Sequence, residues 1–576
     1  METVKITING QIVETTAGNT ILKAARSIGI NIPTLCYHPY FENNIGACRI
    51  CIVEVEGCQC LVASCVHPVM EGMKIKTHSP KVLKARKILL ELLVANHNLE
   101  CLVCKRNGNC QLQNLCEEYG IIEDKFKGKK RHREIDHSSE ALVSDPDKCI
   151  LCGKCIKACC ELQDVHALKF AKRGFDMHVS CTFERKYSKS VCIDCGQCVI
   201  VCPTASLVEK DSIEDVFNAL SNPDKYVIVQ TAPSIRVTIG EAMGMAAGSI
   251  STGKMVSGLR KLGFQKVFDT AFGADLTVME EASELIRRLK NNGALPMMTS
   301  CSPGWVKFVE TFYPELIPNL STCKSPHQML GAIVKSHFAS KNNINPKDIF
   351  MVSVMPCTAK KFEIDREANK VNGISDVDSV ITTRELAKIF QTGGVNFSKL
   401  EDSEFDNPLG FASSAGEIFG SSGGVMEAAL RTAYYLITGK ELEEINFNAV
   451  RGLNRLKEAS ININGTKLNV AAVSTLGETR KLIKKIKKGE IDYSFIEVMT
   501  CPGGCIAGGG QPYAPSPEIL KARMESLYKI DLGKEIRKAH NNPFIKQLYD
   551  DFLGEPLSET SHKYLHTSYT ARSDAL

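Results

Sequence analysis

The sequence predicts a multidomain protein in which a cysteine-rich α+β region precedes a larger α/β region built on parallel sheets. The chain has 576 residues, too many for a single hydrophobic core, so three to five domains are expected. Of its 25 cysteines, 20 lie before residue 203, so the two regions differ in composition. From about residue 210, apolar β-rich segments alternate with helical patterns, which is typical of parallel sheets covered by helices.

The composition is that of a soluble globular protein. Hydrophobic residues make up 44% and charged residues 23%, and the net charge of +5 argues against general nucleic-acid binding. No apolar run reaches the roughly 18 residues that span a membrane, and the N-terminus lacks the apolar core of a signal peptide. We therefore expect a cytoplasmic protein whose cysteines bind metals and do not form disulfides.

Residues 1–80 are predicted to form a small domain around four cysteines. Asn9-Gly10 indicates a β-hairpin, and a helical pattern follows at 20–30. The spacing C-x11-C-x2-C-x13-C differs from the plant-type ferredoxin pattern, but a CxxC pair with two remote cysteines suits a [2Fe-2S] cluster, with structural zinc as the alternative. The four predicted ligands are Cys36, Cys48, Cys51 and Cys65; Cys58 and Cys60 are placed in a hairpin tip without a role.

Residues 81–140 are predicted to hold a second metal site. An amphipathic helix at 81–96 leads into one histidine and three cysteines, namely His97, Cys101, Cys104 and Cys110. Such a set is typical of zinc, but the neighbouring iron–sulfur patterns favour a [4Fe-4S] cluster with one imidazole ligand. The basic run at 125–133 is interpreted as a solvated linker, with a docking patch for an acidic electron carrier as the alternative.

Residues 141–209 contain an internal repeat of the spacing CxxCxxCxxxC. This is the signature of two-cluster bacterial ferredoxins, in which the last cysteine of each run binds the cluster of the other run. Two [4Fe-4S] clusters are therefore expected. Their ligands are Cys149, Cys152, Cys155 and Cys159 in the first run and Cys192, Cys195, Cys198 and Cys202 in the second.

Residues 210–515 are predicted to form two α/β lobes, followed by a helical tail at 516–576. Ligands of parallel sheets bind beyond the carboxyl ends of strands. Four late cysteines follow predicted strand ends, so we expect them in one crevice between the lobes: Cys301, Cys357, Cys501 and Cys505. The glycines at 503–510 are interpreted as making room for a bulky group. Cys323 is expected in a helix, as a core residue, and Thr382 with Glu385 has the spacing of a capping box.

Three segments of this region resemble the signature motifs of [FeFe]-hydrogenases: TSCSPGW (299–305), MPCTAKKFE (355–363) and EVMTCPGGCIAGGGQP (497–512). The first 200 residues resemble the accessory-cluster region of the long clostridial enzymes and part of the large iron–sulfur subunit of respiratory complex I. The resemblance implies the reaction 2H⁺ + 2e⁻ ⇌ H2 at an H-cluster, a [4Fe-4S] cubane joined to a diiron unit carrying CO, cyanide and an azadithiolate, which is installed by maturation proteins.

The resemblance also assigns residues around the H-cluster. Cys357, Cys501 and Cys505 would bind the cubane, with Cys505 as the bridging thiolate, and Lys360 would hold a cyanide. The diiron unit would be walled by Pro233, Ser234, Met355 and Met499. The implied proton path runs through Cys301, Glu281, Ser321, Glu284 and Arg288. Taken alone, the three charged residues of the helical pattern would be interpreted as a solvated helix face.

The sequence departs from the familiar TSCCPGW motif at Cys301-Ser302. When the two motifs are aligned, Ser302 takes the position of the fourth cubane ligand and Cys301 that of the proton relay. A hydroxyl is, however, a poorer iron ligand than a thiolate. The alternative is that Cys301 ligates and Ser302 takes over the relay. A second departure is His327, where the family leads us to expect glutamine.

Three hypotheses about function follow. The leading one is a hydrogenase that exchanges electrons with ferredoxin or, as a subunit of a bifurcating complex, with an NAD(P)-linked flavoprotein. The others are a non-catalytic sensory or iron–sulfur scaffold relative, which the change at Ser302 keeps open, and an electron-transfer subunit like that of complex I. No GxGxxG fingerprint marks a nicotinamide site, so NAD(P)H chemistry would require another subunit.

Overall fold

The computed structural model describes residues 2–463, 466–513 and 515–572, so the end of the predicted tail at 573–576 lies outside it. The first part of the chain is a five-stranded sheet of order β2-β1-β5-β3-β4, with one helix packed on it. The predicted hairpin is confirmed, because Asn9 and Gly10 both have positive φ between the first two strands. Its elements are β1 (Thr3–Ile8), β2 (Gln11–Thr16), α1 (Ile21–Ser27), β3 (Ile52–Val55), β4 (Val62–Ala63) and β5 (Lys74–Lys76).

A helical hairpin and a compact cysteine-rich unit follow. The predicted helix at 81–96 is confirmed and is capped by the hydroxyl of Ser79. The two cysteine runs each contain a short helix, and three small antiparallel strand pairs or bridges hold the surrounding loops. The elements are α2 (Pro80–Ala95), α3 (Gln111–Glu118), β6 (Leu142–Ser144), α4 (Lys154–Lys157), β7 (Leu168–Ala171), β8 (His178–Cys181), α5 (Gln197–Val201) and β9 (Leu207–Glu209).

The first lobe of the α/β region is a parallel sheet of order β11-β10-β13-β16. Its strands are buried and rich in Val and Ile, as expected for a sheet covered on both faces. The predicted capping box of Thr382 and Glu385 is present. The elements are α6 (Ile213–Ser221), β10 (Tyr226–Thr231), α7 (Ile239–Ala242), α8 (Thr252–Lys261), β11 (Lys266–Asp269), α9 (Thr270–Lys290), β13 (Ile349–Met355), α13 (Ala359–Glu363), β14 (Lys370–Val371), β15 (Ile374–Ser375), β16 (Ser379–Thr382) and α14 (Thr383–Thr392).

The second lobe is a sheet of order β12-β19-β18-β17. The prediction of parallel sheets was wrong for one edge of this sheet, because β17 pairs with β18 antiparallel. The prediction of a helix around Cys323 was also wrong: this buried residue lies in an extended segment, before a helix that begins at Pro326. The elements are β12 (Met297–Met298), α10 (Pro303–Phe312), α11 (Pro326–Ile333), α12 (Ala339–Lys341), α15 (Ser414–Glu417), α16 (Gly424–Thr438), β17 (Leu456–Ile463), β18 (Thr466–Ser474), α17 (Leu476–Lys487) and β19 (Phe495–Met499).

The C-terminal tail forms three helices that pack back onto the two lobes. These are α18 (Pro517–Gly533), α19 (Pro543–Leu548) and α20 (Glu559–Leu565). Leu565, Leu553 and Ile545 belong to the same buried cluster as the first parallel sheet, so the tail completes its core. Within the described ranges, no helix is both long enough and apolar enough to cross a membrane.

Candidate active site and metal centres

The four cysteines of the first domain converge in its interior. Cys36, Cys48, Cys51 and Cys65 are all buried. The thiol of Cys36 lies within hydrogen-bonding reach of Cys48 and Cys65, and that of Cys51 within reach of Cys65. Cys58 and Cys60 are exposed in the loop between β3 and β4, away from this set. Four thiols that meet in a dry interior fit a soft metal centre.

The second set surrounds the end of α2. His97 is buried, and its Nδ1 has no hydrogen-bond partner among the described residues. Burial lowers the pKa of His97 to about 4, so the imidazole is neutral. Cys101 and Cys104 are half-buried and Cys110 is buried. A buried, neutral imidazole with an unpartnered nitrogen is chemically suited to bind a metal.

The two cysteine runs line two separate cavities in the crossed arrangement. Three cysteines of the first run meet the last of the second run in one cavity: Cys149, Cys152, Cys155 and Cys202. Three of the second run meet the last of the first run in the other: Cys192, Cys195, Cys198 and Cys159. Each cavity therefore offers four thiols, which is the number that a [4Fe-4S] cluster requires.

A larger cavity lies between the two lobes, beyond the carboxyl ends of β10, β12, β13 and β19. The space free of protein atoms there is about 830 Å3, which includes space open to solvent. Its wall contains ten of the predicted site residues: Pro233, Ser234, Cys301, Ser302, Met355, Cys357, Lys360, Met499, Cys501 and Cys505. The electrostatic neighbours of the Cys501 thiol include Cys357 and Cys505, so three thiols lie on one side of the cavity. The volume and the three thiols fit a cluster cofactor.

Two glycines of the last motif, Gly508 and Gly509, lie in close contact with neighbouring chain segments. A Cβ atom on Gly508 would lie 2.2 Å from the carbonyl oxygen of Pro356, and one on Gly509 would lie 2.5 Å from that of Cys195. Both obstacles are backbone atoms of neighbouring segments, and Pro356, Cys195 and Gly508 all line the cavity. These two glycines therefore let three chain segments approach each other at the cavity wall.

Lys360 is fixed by a buried ionic network at the cavity wall. Its ammonium donates to Glu363 Oε2 at 2.8 Å and to the carbonyl oxygen of Cys301 at 3.2 Å. His327 Nε2 lies 2.6 Å from the same Glu363 oxygen. Although burial acts against it, the neighbouring Lys360 and His327 lower the pKa of Glu363 to about 2, so this group is a carboxylate.

The tautomer of His327 follows from this network. A carboxylate only accepts, so Nε2 of His327 carries the hydrogen. Burial, with Lys360, lowers the pKa of His327 to about 4, so the ring is neutral. Its Nδ1 has no partner among the described residues and the ring lines the cavity. The residue thus presents a buried acceptor to the cavity.

Cys301 and Ser302 occupy different surroundings. Burial raises the pKa of the Cys301 thiol, and Glu281 and then Cys505 raise it further. The Ser302 hydroxyl lies 2.7 Å from Thr500 Oγ1, next to Cys501 in the chain. The Cys301 thiol is thus near Glu281 of α9, whereas the Ser302 hydroxyl contacts the loop that carries Cys501.

Four of the predicted proton-path residues, Glu281, Ser321, Glu284 and Arg288, are connected in series, and the alternative of a solvated helix face is wrong for the two glutamates. Glu281 and Glu284 of α9 are 2% and 1% exposed. The Ser321 hydroxyl donates to Glu284 Oε2 at 3.3 Å and also interacts with the carboxyl of Glu281. Arg288 donates to Glu284 Oε1 at 2.6 Å. Burial, assisted by Glu284, raises the pKa of Glu281 to about 8.

The cavity at Cys192–Cys198 adjoins the interlobe cavity. Cys195 lines both. Three hydrogen bonds tie the cysteine-rich unit to the loops of the last two motifs: Gln197 Nε2 to the Ala507 carbonyl (2.9 Å), Gln163 Nε2 to the Thr500 carbonyl (2.9 Å) and Thr358 Oγ1 to the Asp194 carbonyl (2.7 Å). These hydrogen bonds therefore hold the two cavities next to each other.

Some residues of these sites were not anticipated from the sequence. Glu363 anchors both Lys360 and His327; its position three residues after Lys360, on one helix face, was the available signal. Cys116 of α3 lies in the electrostatic environment of Cys110 and Cys101, and nothing in its spacing pointed there. His566, from the C-terminal tail, reaches α9 across 286 residues of chain, which no local pattern reveals.

Comparison with known proteins places this architecture in a family. Residues 225–509 match the model of the iron-only hydrogenase large subunit, C-terminal domain, and residues 517–572 that of the iron hydrogenase small subunit. Residues 1–80 match a 2Fe-2S iron-sulfur cluster binding domain, residues 86–125 the NADH-ubiquinone oxidoreductase-G iron-sulfur binding region, and residues 186–208 a 4Fe-4S binding domain.

Similar proteins agree with these matches. The chain is 48% identical to the NADP-reducing hydrogenase subunit HndD of Solidesulfovibrio fructosivorans, over 99% of this chain and 100% of that protein. It is 44% identical to iron hydrogenase 1 of Clostridium pasteurianum, over 98% and 99%. A solved structure of the apo [FeFe]-hydrogenase HydA1 from Chlamydomonas reinhardtii, in a variant form, is 43% identical, with a TM-score of 0.57, and covers 62% of this chain and 98% of that one.

The chain belongs to the iron-only, or [FeFe]-, hydrogenases. It is a hydrogenase with an H-cluster domain, preceded by accessory domains for 2Fe-2S and 4Fe-4S clusters. The predicted fold class, the resemblance and the enzymatic activity are thereby confirmed, and the hypotheses of a non-catalytic scaffold and of an electron-transfer subunit are set aside.

Proposed function

We propose that the hydrogenase reaction, 2H⁺ + 2e⁻ ⇌ H2, takes place in the interlobe cavity and is supplied by four accessory clusters. One [2Fe-2S] cluster is held by Cys36, Cys48, Cys51 and Cys65, and one [4Fe-4S] cluster by His97 with Cys101, Cys104 and Cys110. Two further [4Fe-4S] clusters are held by the crossed cysteine sets. The observation that carries the proposal is the meeting of three motif thiols, Lys360 and the two methionines at one cavity.

The H-cluster, when bound, supplies the redox chemistry of H2 formation and cleavage. Cys357, Cys501 and Cys505 would hold it, with the Cys505 thiolate as the bridging ligand. Lys360 keeps a positive charge at the cavity because Glu363 holds its ammonium in place. Met355 and Met499 are each at most 3% exposed, so they exclude water from the cavity wall.

We assign the proton path to Cys301, Glu281, Ser321, Glu284 and Arg288, in this order from the cavity outwards. Two properties of Glu281 support this assignment: it neighbours the Cys301 thiol, and its raised pKa lets it hold a proton at neutral pH. The position of the Cys301 thiol beside Glu281 supports Cys301 as the relay and leaves Ser302 as the fourth cubane ligand. Cys301→Ala distinguishes the two roles, because a relay variant keeps its cubane whereas a ligand variant loses it.

We propose an NAD(P)-linked flavoprotein as the electron partner, with ferredoxin as the alternative. The similarity over the full length to an NADP-reducing hydrogenase subunit supports the first, and the similarity to iron hydrogenase 1 leaves room for the second. We place the protein in the cytoplasm, where 25 free cysteines stay reduced. A dye-free assay of the purified chain with reduced ferredoxin separates the partners: turnover supports ferredoxin, and no turnover supports the flavoprotein. NADPH is expected to fail in either case without a second subunit.

Infrared spectroscopy of the matured protein under H2 tests the proposed site. Bands from metal-bound CO and cyanide are expected to appear and to shift with the redox state. Lys360→Met is expected to shift the cyanide bands, whereas Lys335→Met, which removes another buried lysine outside the cavity, is the matched control. Absence of these bands after full maturation, with iron present in the accessory clusters, would contradict the assignment of the cavity.

A further inference from the structure

The proposed proton path ends at a residue that does not titrate. Arg288 is held by Glu284 and by the carbonyl oxygens of Ala294, Pro318 and Leu320. A guanidinium stays charged at every physiological pH and offers only donors. It can fix the carboxylate of Glu284, but it cannot take up a proton from water and pass it on. A titratable neighbour of Glu284 is therefore required.

Such a neighbour comes from the C-terminal tail. The Thr322 hydroxyl donates to Glu284 Oε2 at 3.2 Å and lies 2.8 Å from His566 Nδ1. His566 Nε2 lies 3.0 Å from Glu280 Oε2. The side chain of His566 is 4% exposed, and Thr322 is partly exposed. A carboxylate, an imidazole, a hydroxyl and a second carboxylate are thus connected in series.

Glu280 is built to remain a carboxylate. It accepts hydrogen bonds from the hydroxyls of Tyr549 and Ser561, from the backbone N–H of Leu557 and from His566. Although burial acts against it, these bonds lower the pKa of Glu280. Because Glu280 only accepts, Nε2 of His566 carries a hydrogen, and Nδ1 is left to gain or lose the second proton.

We propose that His566, through Thr322, is a proton donor and acceptor for Glu284 and forms a second branch of the proton path. The hydroxyl of Thr322 has one hydrogen, so it donates either to Glu284 or to His566. In one state His566 is an imidazolium that donates from Nδ1 to Thr322, and Thr322 donates to the Glu284 carboxylate. In the other, protonated Glu284 donates to Thr322, and Thr322 donates to neutral His566.

The two states differ by one proton that moves from Nδ1 to Glu284 while the hydroxyl passes on its own hydrogen. No atom or charge is gained or lost, and Glu280 stabilises the imidazolium by its negative charge. Both ring nitrogens of His566 are engaged in this series. This branch rests on the proposed proton path through Glu284. It would deliver protons to Glu284, at the end of that path remote from the cavity.

Several other titratable or charged groups face His566. The ring of His562, half-buried on the same helix, lies 4.2 Å away between centroids and disfavours a second positive charge. Burial, followed by His566 and Arg287, lowers the pKa of His562. Other titratable or charged groups contact the partners of His566: Arg287 influences His562, Arg288 and Cys323 contact Glu284, and Tyr549 contacts Glu280.

The test uses the matured enzyme and four variants: Thr322→Val, Thr322→Ser, His566→Gln and Glu284→Gln. H2 evolution is measured against pH with a reduced dye, alongside iron content and melting temperature. Thr322→Val and His566→Gln are expected to lower turnover roughly tenfold, at the low end of proton-transfer effects, and to change the pH profile of H2 evolution. Thr322→Ser keeps the hydroxyl and is expected to restore both rate and profile.

Two results would overturn the branch. One is that both Thr322→Val and His566→Gln evolve H2 at the wild-type rate and with the wild-type pH profile, while Glu284→Gln is inactive. That result would leave the main proton path supported. The other is a lower rate with an unchanged profile, which indicates a structural role. Full activity of Glu284→Gln would refute the main path as well. If His566→Gln loses iron or melts early, the Thr322→Val and Thr322→Ser pair decides alone.

Discussion

Replacement of Glu281 by glutamine is the sharpest test of the proton path. The residue is 2% exposed, and burial raises the pKa of its carboxyl to about 8. With this pKa the carboxyl is about nine-tenths protonated at pH 7 and about one-tenth at pH 9. It therefore carries a proton at neutral pH and can release it to the cavity. Glutamine has the same shape but cannot release one, so turnover is expected to fall at least about 100-fold.

The assay is H2 evolution from reduced dye, with iron content and infrared bands measured on the same sample. Wild-type H2 evolution is expected to decline as the pH rises through about 8, because the raised pKa means that the proton is lost there. Asp275→Asn is the matched control: it removes a buried carboxyl of the same helix that bonds to Ser413 and Asn542, away from the path. A Glu281→Gln enzyme that retains a third of wild-type turnover with intact clusters would refute the reasoning.

Three further predictions concern the metal sites and their frame. Ser302→Cys is expected to slow the loss of cubane iron to a chelator, because a thiolate is a softer ligand than a hydroxyl; an unchanged rate would argue against Ser302 as a ligand. His97→Ala is expected to remove or alter one cluster signal in electron paramagnetic resonance, and His97→Cys to restore a four-ligand site; spectra identical to wild type would contradict the assignment. Gly508→Ala is expected to cost about 1–3 kcal/mol of stability, because its Cβ would lie 2.2 Å from the Pro356 carbonyl oxygen; Gly533→Ala, whose Cβ meets nothing within 4 Å, is the thermal-melting control.

The sequence predicted the fold class and the cavity because the relevant signals are local. Alternating strands and helices require parallel pairing, and cysteines at the strand ends must then meet at one edge. A helix was wrongly predicted at Cys323. The local signal against it is the Ser325-Pro326 pair, because a residue before proline favours an extended conformation and proline favours the first position of a helix.

What the sequence could not predict depends on long-range packing. Glu281 and Glu284 are buried, and both interact with Ser321, which lies 37 residues beyond Glu284 in the chain. The buried contact of Glu280 with His566 spans 286 residues. The glycine spacing in the last motif indicated small residues but not which neighbour required them, because the obstacle at Gly509 is the carbonyl oxygen of Cys195.

The contact between Cys195 and Gly509 has a consequence for how this enzyme can be shortened. Two carbonyl groups of the last motif region, those of Thr500 and Ala507, accept hydrogen bonds from glutamine side chains of the cysteine-rich unit. A truncated enzyme that begins at residue 210 would lose both hydrogen bonds and expose these carbonyl oxygens to water, at a cost of about 0.5–1.5 kcal/mol each. The boundary near residue 209, where the sequence pattern changes, thus does not divide the protein into two parts that separate easily. Catalytic lobes freed of their accessory domains would need compensating substitutions along this seam, and the glycine at 509 would lose the neighbour that now excludes a side chain.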